Sequence, residues 1–191
     1  MKSNKDNLSL YFIALIPKDP HQSELMELKH WVFEDVGSKG ALRSPAHITL
    51  LMPFKWRQEK EPLLFESLDK LASSMAPFNI ELLNFNCFEP RVIYVDVKNN
   101  DTLTEVKTQV VKMAKQELKL TFLKDLRGFL PHITIAFRDL KKAQFYQLWQ
   151  QLKTKEFKAN FEASSLALLK HNGKRWDVCK EFQFIQESNI V

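Results

Sequence analysis

The sequence predicts a two-lobed α+β fold, a pseudo-twofold duplication in which two antiparallel sheets face a central cleft and helices pack outside. The tripeptide His-Ile-Thr occurs at residues 47–49 and again at 132–134, each time just after a proline and at the start of an apolar run. Around each copy the apolar spacing gives one order of elements: strand, helix, His-Ile-Thr strand, helix and extended hairpin. The 191 residues, 45% of them hydrophobic, can bury the core of a single domain spanning 1–191, made of two intimately packed lobes.

In the first half, the apolar run at residues 8–17 predicts a buried strand, which Pro17 ends. A helix with its apolar residues on one face follows and ends near Gly37; these residues are Leu25, Leu28, Val32 and Val36. After the first His-Ile-Thr strand, helical spacing returns at residues 64–75 and stops before Pro77. In residues 78–88 the alternation of apolar positions slips by one, which predicts a bulge in an extended segment.

The second half opens with the strand RVIYVDV at residues 91–97. Asp101 is the expected N-cap of a helix whose apolar face consists of Leu103, Val106, Val110, Met113 and Ala114. After the second His-Ile-Thr strand, Asp139 is the expected cap of another helix, whose apolar face consists of Phe145, Leu148, Trp149 and Leu152. Residues 166–184 predict a hairpin, because two strand-like runs flank an Asn-Gly turn.

The two His-Ile-Thr strands each have one polar and one apolar face. Because side chains alternate along a strand, His47 and Thr49 point the same way, and so do His132 and Thr134. A pseudo-twofold axis between the halves would turn both polar faces toward one cleft. Two imidazoles and two hydroxyls would then converge on a single point.

Two histidines facing one substrate atom suit displacement at phosphorus, where one imidazole removes a proton and the other supplies one. An unperturbed imidazole pKa of about 6.5 allows both protonation states near neutral pH. The threonine hydroxyls can donate hydrogen bonds to phosphate oxygens. The sequence leaves open whether His47 or His132 is the base, and we interpret His21, His30 and His171 as ordinary structural residues.

Other uses of these residues are less favoured. Zinc or iron would normally recruit carboxylates or thiolates, and neither motif has Asp, Glu or Cys on its histidine face, so we expect no metal and no cofactor. Cys87 and Cys179 are expected to be buried free thiols. A cysteine-dependent acyl transferase would need a context that lowers a thiol pKa, which neither cysteine has. A catalytically idle module that binds RNA ends or nucleotides is the alternative interpretation of the motifs.

The formal net charge of +5 favours anionic partners. No stretch approaches eighteen uninterrupted apolar residues, and the first ten residues lack the layout of a signal peptide. We therefore expect a cytoplasmic monomer that makes no membrane contact.

The motifs HITL at 47–50 and HITI at 132–135 resemble those of the two-histidine phosphoesterase superfamily, which includes 2′-5′ RNA ligases and RNA 2′,3′-cyclic phosphodiesterases. The likeness extends over most of the chain through LYFIALIP, SPAHITLLMPF, FEPRVIYVDV and RGFLPHITIAF. It implies metal-independent hydrolysis of a 2′,3′-cyclic phosphate or a related RNA or nucleotide phosphodiester. The residues that it assigns to catalysis are His47, Thr49, His132 and Thr134, and those that it assigns to substrate contacts are Arg91, Arg127 and Phe129.

Overall fold

The four α-helices within the described residues contribute side chains to one core, on one face of a continuous antiparallel sheet. The computed structural model describes residues 7–121 and 128–185. Its strands are β1 (Leu8–Leu15), β2 (Ile48–Arg57), β3 (Phe78–Phe88), β4 (Val92–Val97), β5 (His132–Ala136), β6 (Lys158–Ala163), β7 (Ser165–His171) and β8 (Trp176–Gln183). The helices are α1 (His21–Val36), α2 (Glu61–Ala72), α3 (Asp101–Gln116) and α4 (Lys142–Leu152). None of these helices is long and apolar enough to cross a bilayer.

The sheet consists of two four-stranded halves that meet at the two His-Ile-Thr strands. Its strand order is β6-β3-β4-β5-β2-β1-β7-β8, and β5 and β2 pair through Ile133 and Ile48. In one half β1 pairs with β2, and in the other β4 pairs with β5 in the same antiparallel sense. This arrangement confirms the α+β duplication, with the two predicted sheets joined edge to edge at a narrow seam.

Helix α1 confirms the predicted amphipathic pattern with one unexpected residue. It ends at Gly37, whose φ of +73° is easily adopted by glycine and whose N–H donates to the Phe33 carbonyl at 2.8 Å. The fully buried line of the helix runs through Leu25, Lys29, Val32 and Val36, while Leu28 is only partly buried. A lysine therefore occupies a core position of α1.

Both predicted aspartate caps are wrong. The N-cap of α3 is Asn100, whose side chain accepts from the Leu103 N–H at 2.8 Å; its extended backbone, with φ of −145° and ψ of 110°, suits a cap, and Asp101 is already helical. Helix α4 begins after Lys141, so Asp139 lies too early to cap it. Asp139 instead binds a segment of the first half, as described below.

The predicted bulge and hairpin are confirmed. The β3–β4 register shifts between Leu82 and Phe85, where Asn84 has a φ of +58°. Asn84 is held there because its N–H donates to the Phe157 carbonyl and its side chain accepts from the Phe157 N–H. Strands β7 and β8 form the hairpin, and Gly173 in its turn has a φ of +96°.

Candidate active site

The register of the central strands brings the four motif residues together. Because Ile48 lies opposite Ile133 in antiparallel pairing, the register continues with His47 opposite Thr134 and Thr49 opposite His132. Directly opposite residues share one face of a sheet with Cβ atoms about 4.5–5.5 Å apart, and diagonal neighbours lie about 7–8 Å apart. The two histidines are diagonal neighbours on the face away from the helices, and each has the other half's threonine beside it.

The two imidazoles are oriented by the same local hydrogen bond. His47 Nδ1 lies 2.7 Å from the Pro45 carbonyl oxygen, and His132 Nδ1 lies 2.7 Å from the Leu130 carbonyl oxygen. A carbonyl oxygen can only accept, so each Nδ1 carries the proton. In the neutral ring, Nε2 is then the unprotonated nitrogen and can act as a base.

Aromatic rings flank both histidines, and the sequence interpretation missed them. The centroid of the Phe12 ring lies 4.8 Å from that of His47, and the Tyr94 centroid lies 4.8 Å from that of His132. In the sheet half that contains His47 the row of aromatic rings continues, because the Trp176 ring lies 4.8 Å from that of Phe12 and 4.9 Å from that of His171. His171 is therefore separated from His47 by the rings of Phe12 and Trp176. The signal was strand alternation, which puts Phe12 of β1 on the face opposite Tyr11 and Ile13 of the main core.

A buried lysine influences His47. Lys29 is 1% exposed, and its ammonium group donates to the carbonyl oxygens of Ala41 and Ser44, both at 3.1 Å. Burial lowers the pKa of Lys29 to about 7. Burial also lowers the pKa of His47 to about 4, with smaller contributions in the same direction from the positive charges of Lys29 and His132. At neutral pH His47 is thus uncharged.

A carboxylate faces His132. Asp96 lies directly opposite His132 in the β4–β5 ladder, so the two side chains share a face. One Asp96 oxygen accepts from the Val97 N–H at 2.9 Å, and the other accepts from the Asn86 amide at 3.2 Å. Burial and the charge of Asp96 raise the pKa of Tyr94 to about 12, so this phenol keeps its proton. A nearby carboxylate favours the charged form of an imidazole.

Asp139 connects the second half to the segment that leads into His47. Its carboxylate accepts from the Ser38 hydroxyl at 2.9 Å and from the N–H groups of Lys39 and Gly40 at 2.8 and 2.9 Å. Gly40 is needed for this approach, because a Cβ there would lie 2.6 Å from Asp139 Oδ1. Residues 38–44 are therefore held by hydrogen bonds to both Asp139 and Lys29.

The remaining predicted site residues are dispersed. Thr49 and Thr134 are partly exposed beside the histidines. Phe129 is partly buried and lines a cavity next to His132. Arg91 is exposed in the turn between β3 and β4, at the end of β4 that lies away from His132. Arg127 lies outside the described residues.

The cysteines differ from the prediction. Cys179 is exposed and Cys87 partly exposed, so the expectation of two buried thiols is wrong. Partial burial raises the pKa of both thiols, with Glu89 adding to the effect at Cys87 and Glu61 at Cys179. A raised pKa keeps a thiol protonated and disfavours its use as a nucleophile.

Within residues 7–121 and 128–185, no group of three or more His, Cys, Asp and Glu side chains is arranged to hold a metal ion.

The chain matches the family model of the 2′-5′ RNA ligase superfamily over residues 17–175. The chain belongs to this superfamily.

Named relatives and solved structures agree with this superfamily. A protein of Geobacillus sp. (strain WCH70) named as a phosphoesterase is 29% identical over 144 residues, 72% of this chain and 78% of that protein. An RNA 2′,3′-cyclic phosphodiesterase of Geobacillus stearothermophilus is 30% identical over 127 residues, which span 64% of this chain but only 37% of that protein.

Two crystal structures share the fold of this superfamily member. E. coli LigT complexed with 3′-AMP aligns with a TM-score of 0.65 at 19% identity, covering 94% of this chain and 99% of LigT. TT0787 of Thermus thermophilus aligns with a TM-score of 0.64 at 21% identity, covering 94% of this chain and all of that one. LigT has also been crystallised with NADP+ and with ATP.

Proposed function

We propose that this superfamily member is a metal-independent phosphodiesterase that opens a 2′,3′-cyclic phosphate, or a related RNA or nucleotide phosphodiester, by acid-base catalysis. The observation that carries the proposal is the matched pair of Nδ1 hydrogen bonds at His47 and His132. Each bond fixes its ring and assigns the proton to Nδ1, so that Nε2 is the nitrogen that gains or loses a proton in each ring. Two histidines with a purely structural role would not be expected to have the same Nδ1 hydrogen bond on the same face of a sheet.

His47 is the proposed general base and His132 the proposed general acid. His47 is uncharged at neutral pH and can accept a proton, and His132 lies opposite the Asp96 carboxylate in the β4–β5 ladder. Water attacks phosphorus and gives a proton to His47 Nε2 as the new P–O bond forms. The bond from phosphorus to one ribose oxygen breaks, and that oxygen takes the proton from His132 Nε2.

The threonines are the proposed donors to the non-bridging phosphate oxygens. Thr49 and Thr134 are partly exposed on the histidine face, and no hydrogen bond of either hydroxyl is found among the described residues. Both hydroxyls can therefore be donated to an anionic group, where preorganised donors stabilise developing charge. Phe129 is proposed to contact the part of the substrate beyond the phosphate, which is the terminal nucleotide of an RNA or a small nucleotide, whereas Arg91 lies at the end of β4 away from His132.

The nucleotide substrate class is supported by the relatives. One is named as an RNA 2′,3′-cyclic phosphodiesterase, and LigT has been crystallised with three different nucleotides. The net charge of +5 suits an anionic substrate.

The proposal is tested by incubating the purified protein in excess EDTA with 2′,3′-cyclic nucleotides, cyclic-ended short RNAs and 2′-5′ linked oligonucleotides. We expect hydrolysis of at least one of these in the presence of EDTA, with a nucleoside monophosphate end as product. Activity that is lost in EDTA and restored by zinc or manganese would overturn the metal-free mechanism. Tight binding of a cyclic end without any turnover would identify the protein as a binding module instead.

A further inference from the structure

A cavity of about 320 Å³ opens beside His132, and its lining is suited to a nucleobase. The cavity adjoins the catalytic pair, because Tyr94 in its wall contacts the His132 ring and the Leu130 carbonyl accepts from His132 Nδ1. Residues in its lining include Asn86, Tyr94, Asp96, Phe129, Leu130 and Pro131. A nucleotide whose phosphate lies between the histidines can therefore place its base in this cavity.

The lining of the cavity combines apolar side chains with polar ones, among which are Asn86, Asp96, Lys98 and Asn99. Leu130, which is 53% exposed, and the ring of Phe129 present apolar surface to this space. Asp96 and the Asn86 amide, hydrogen-bonded to each other, form the polar edge. Aromatic and apolar side chains next to fixed polar groups are typical of sites that bind and discriminate small molecules.

Asp96 offers a specific pattern of acceptors at that edge. Each carboxylate oxygen has about two lone-pair positions. One position on each oxygen is occupied, by the Val97 N–H and by the Asn86 amide. Each oxygen therefore keeps one acceptor position, and together they form a pair that matches two adjacent N–H donors.

Among the four RNA bases, only guanine has two adjacent N–H donors on one edge, at N1 and N2. Adenine, cytosine and uracil each place an N–H group next to an acceptor, which would face a carboxylate oxygen unfavourably. We propose that this cavity binds the base of a guanosine 2′,3′-cyclic phosphate, with Asp96 accepting from N1–H and N2–H. The inference rests on the proposed function and adds the identity of the base to it.

The first test compares the four 2′,3′-cyclic mononucleotides as substrates of the wild-type protein. We expect kcat/KM for the guanosine compound to exceed that for the adenosine compound by about tenfold or more, the usual discrimination of one bidentate contact. Equal kcat/KM values for the four bases would overturn the inference and leave the proposed function intact.

The second test is Asp96→Asn, with Asp69→Asn on the exposed face of α2 as the matched control. Asparagine offers one acceptor and one donor, which match the adjacent N1 and N6–H of adenine. We expect the guanosine-to-adenosine ratio to fall below one in Asp96→Asn and to stay unchanged in Asp69→Asn. The ratio is independent of any general loss of activity that Asp96→Asn causes through His132. An Asp96→Asn protein that keeps the wild-type preference would contradict the inference.

Binding of the non-hydrolysable 3′-GMP and 3′-AMP separates the two proposals. Tighter binding of 3′-GMP by a protein that hydrolyses none of the cyclic nucleotides would support the guanine cavity and refute the proposed function. If the protein is an active phosphodiesterase that binds 3′-GMP and 3′-AMP equally well, the proposed function is supported and the guanine cavity is refuted. Trinucleotides that end in cyclic guanosine or adenosine phosphate repeat the comparison at an RNA end, and the preference is expected there with the same sign, because the cavity contacts only the terminal base.

Discussion

The surroundings of His47 and His132 are alike in geometry and opposite in charge. Each ring donates from Nδ1 to a carbonyl two residues upstream, and each packs on an aromatic ring 4.8 Å away. Next to this common frame, His47 has the buried cation Lys29 nearby, whereas His132 has the carboxylate of Asp96 opposite it. Duplication thus supplies two equivalent imidazoles, and single residues outside the motif give them different electrostatic surroundings, as the proposed division into base and acid requires.

The largest effects are expected from the histidines themselves. His47→Asn and His132→Asn place an amide nitrogen where Nδ1 was, so each variant keeps the carbonyl contact and loses only Nε2. We expect each to reduce kcat by about 10²–10⁴-fold, the range for one positioned proton-transfer group. The double variant should be little worse than either single one, because the two residues act as a unit.

The matched control for the histidine variants is His30→Asn, on an exposed position of α1, which should leave kcat unchanged. If the two histidines are a base and an acid, the pH profile of kcat should lose a different limb in each variant. Turnover close to wild type in either single variant would refute the acid-base pair.

Smaller and nearly equal losses are expected from the two threonines. Thr49→Val and Thr134→Val each remove one donor to a non-bridging oxygen and leave both proton transfers in place. We expect about a tenfold to hundredfold reduction in kcat for each, with the shape of the pH profile retained. The equality of the two losses tests the symmetry of the frame, because each threonine lies opposite one histidine. A loss of kcat in only one of the two variants would show that the substrate phosphate lies closer to one threonine than to the other.

The contact between Asp139 and Gly40 should control the placement of His47. Asp139→Asn removes an acceptor of the Lys39 and Gly40 N–H groups, and Gly40→Ala displaces the carboxylate through a Cβ at 2.6 Å. Because small displacements of a catalytic group are costly, we expect about a tenfold loss of kcat from either change. The double variant should lose no more than the single ones. Additive losses, or unchanged kcat in both, would contradict this role, and Ser38→Ala is the milder control.

Lys29→Met should produce the smallest and most specific effect. We expect the pKa of His47 to rise above about 4 yet stay below its ordinary value, because burial, the larger cause, is unchanged. Titration of the His47 ring protons by NMR measures this, and Lys70→Met on the exposed face of α2 is the control. An unchanged His47 pKa in Lys29→Met would show that Lys29 does not contribute to lowering the pKa of His47.

Lys29 also predicts a pH dependence of stability. Its folded pKa of about 7 lies below the ordinary value of 10.5, so the unfolded state binds more protons between these pH values. The contribution of Lys29 to the free energy of unfolding therefore rises with pH from about 7 to 10.5, by an amount of order 5 kcal/mol. Denaturant unfolding at several pH values measures the free energy of unfolding of wild type and of Lys29→Met. The wild-type value should rise relative to that of the variant as the pH increases from about 7 to 10.5. A constant difference would contradict the burial of a titrating amine.

The elements that the sequence predicts well are those governed by one strong local pattern. The apolar face of α3 is buried as expected, since its five predicted residues follow the helical period. The alternation in β2 and β5 likewise places histidine and threonine on one face, because the strand period leaves no other choice. The pseudo-twofold order of elements follows from the same patterns.

The missed features depend on tertiary contacts that no local pattern encodes. Asp139 is two residues before a helix and looks like a cap, but its acceptors are taken by N–H groups about one hundred residues away in the chain. Asn100 and Asp101 are both good caps by residue type, and the backbone conformation decides between them. Lys29 carried a usable signal, because it stands on the buried line of α1 between Leu25 and Val32, where a lysine needs buried hydrogen-bond partners.

The strand order has a consequence for dividing the chain. The strand β3 follows α2 in the first half of the sequence yet lies between β6 and β4 of the second, while β7 from the end of the sequence pairs with β1. Cleavage of the peptide backbone in the turn at residues 89–91 therefore gives two fragments, each lacking partners for one of its own strands. We expect the two fragments to regain structure only when they combine, and since each carries one of the two motif histidines, only the reassembled chain would bring His47 and His132 together.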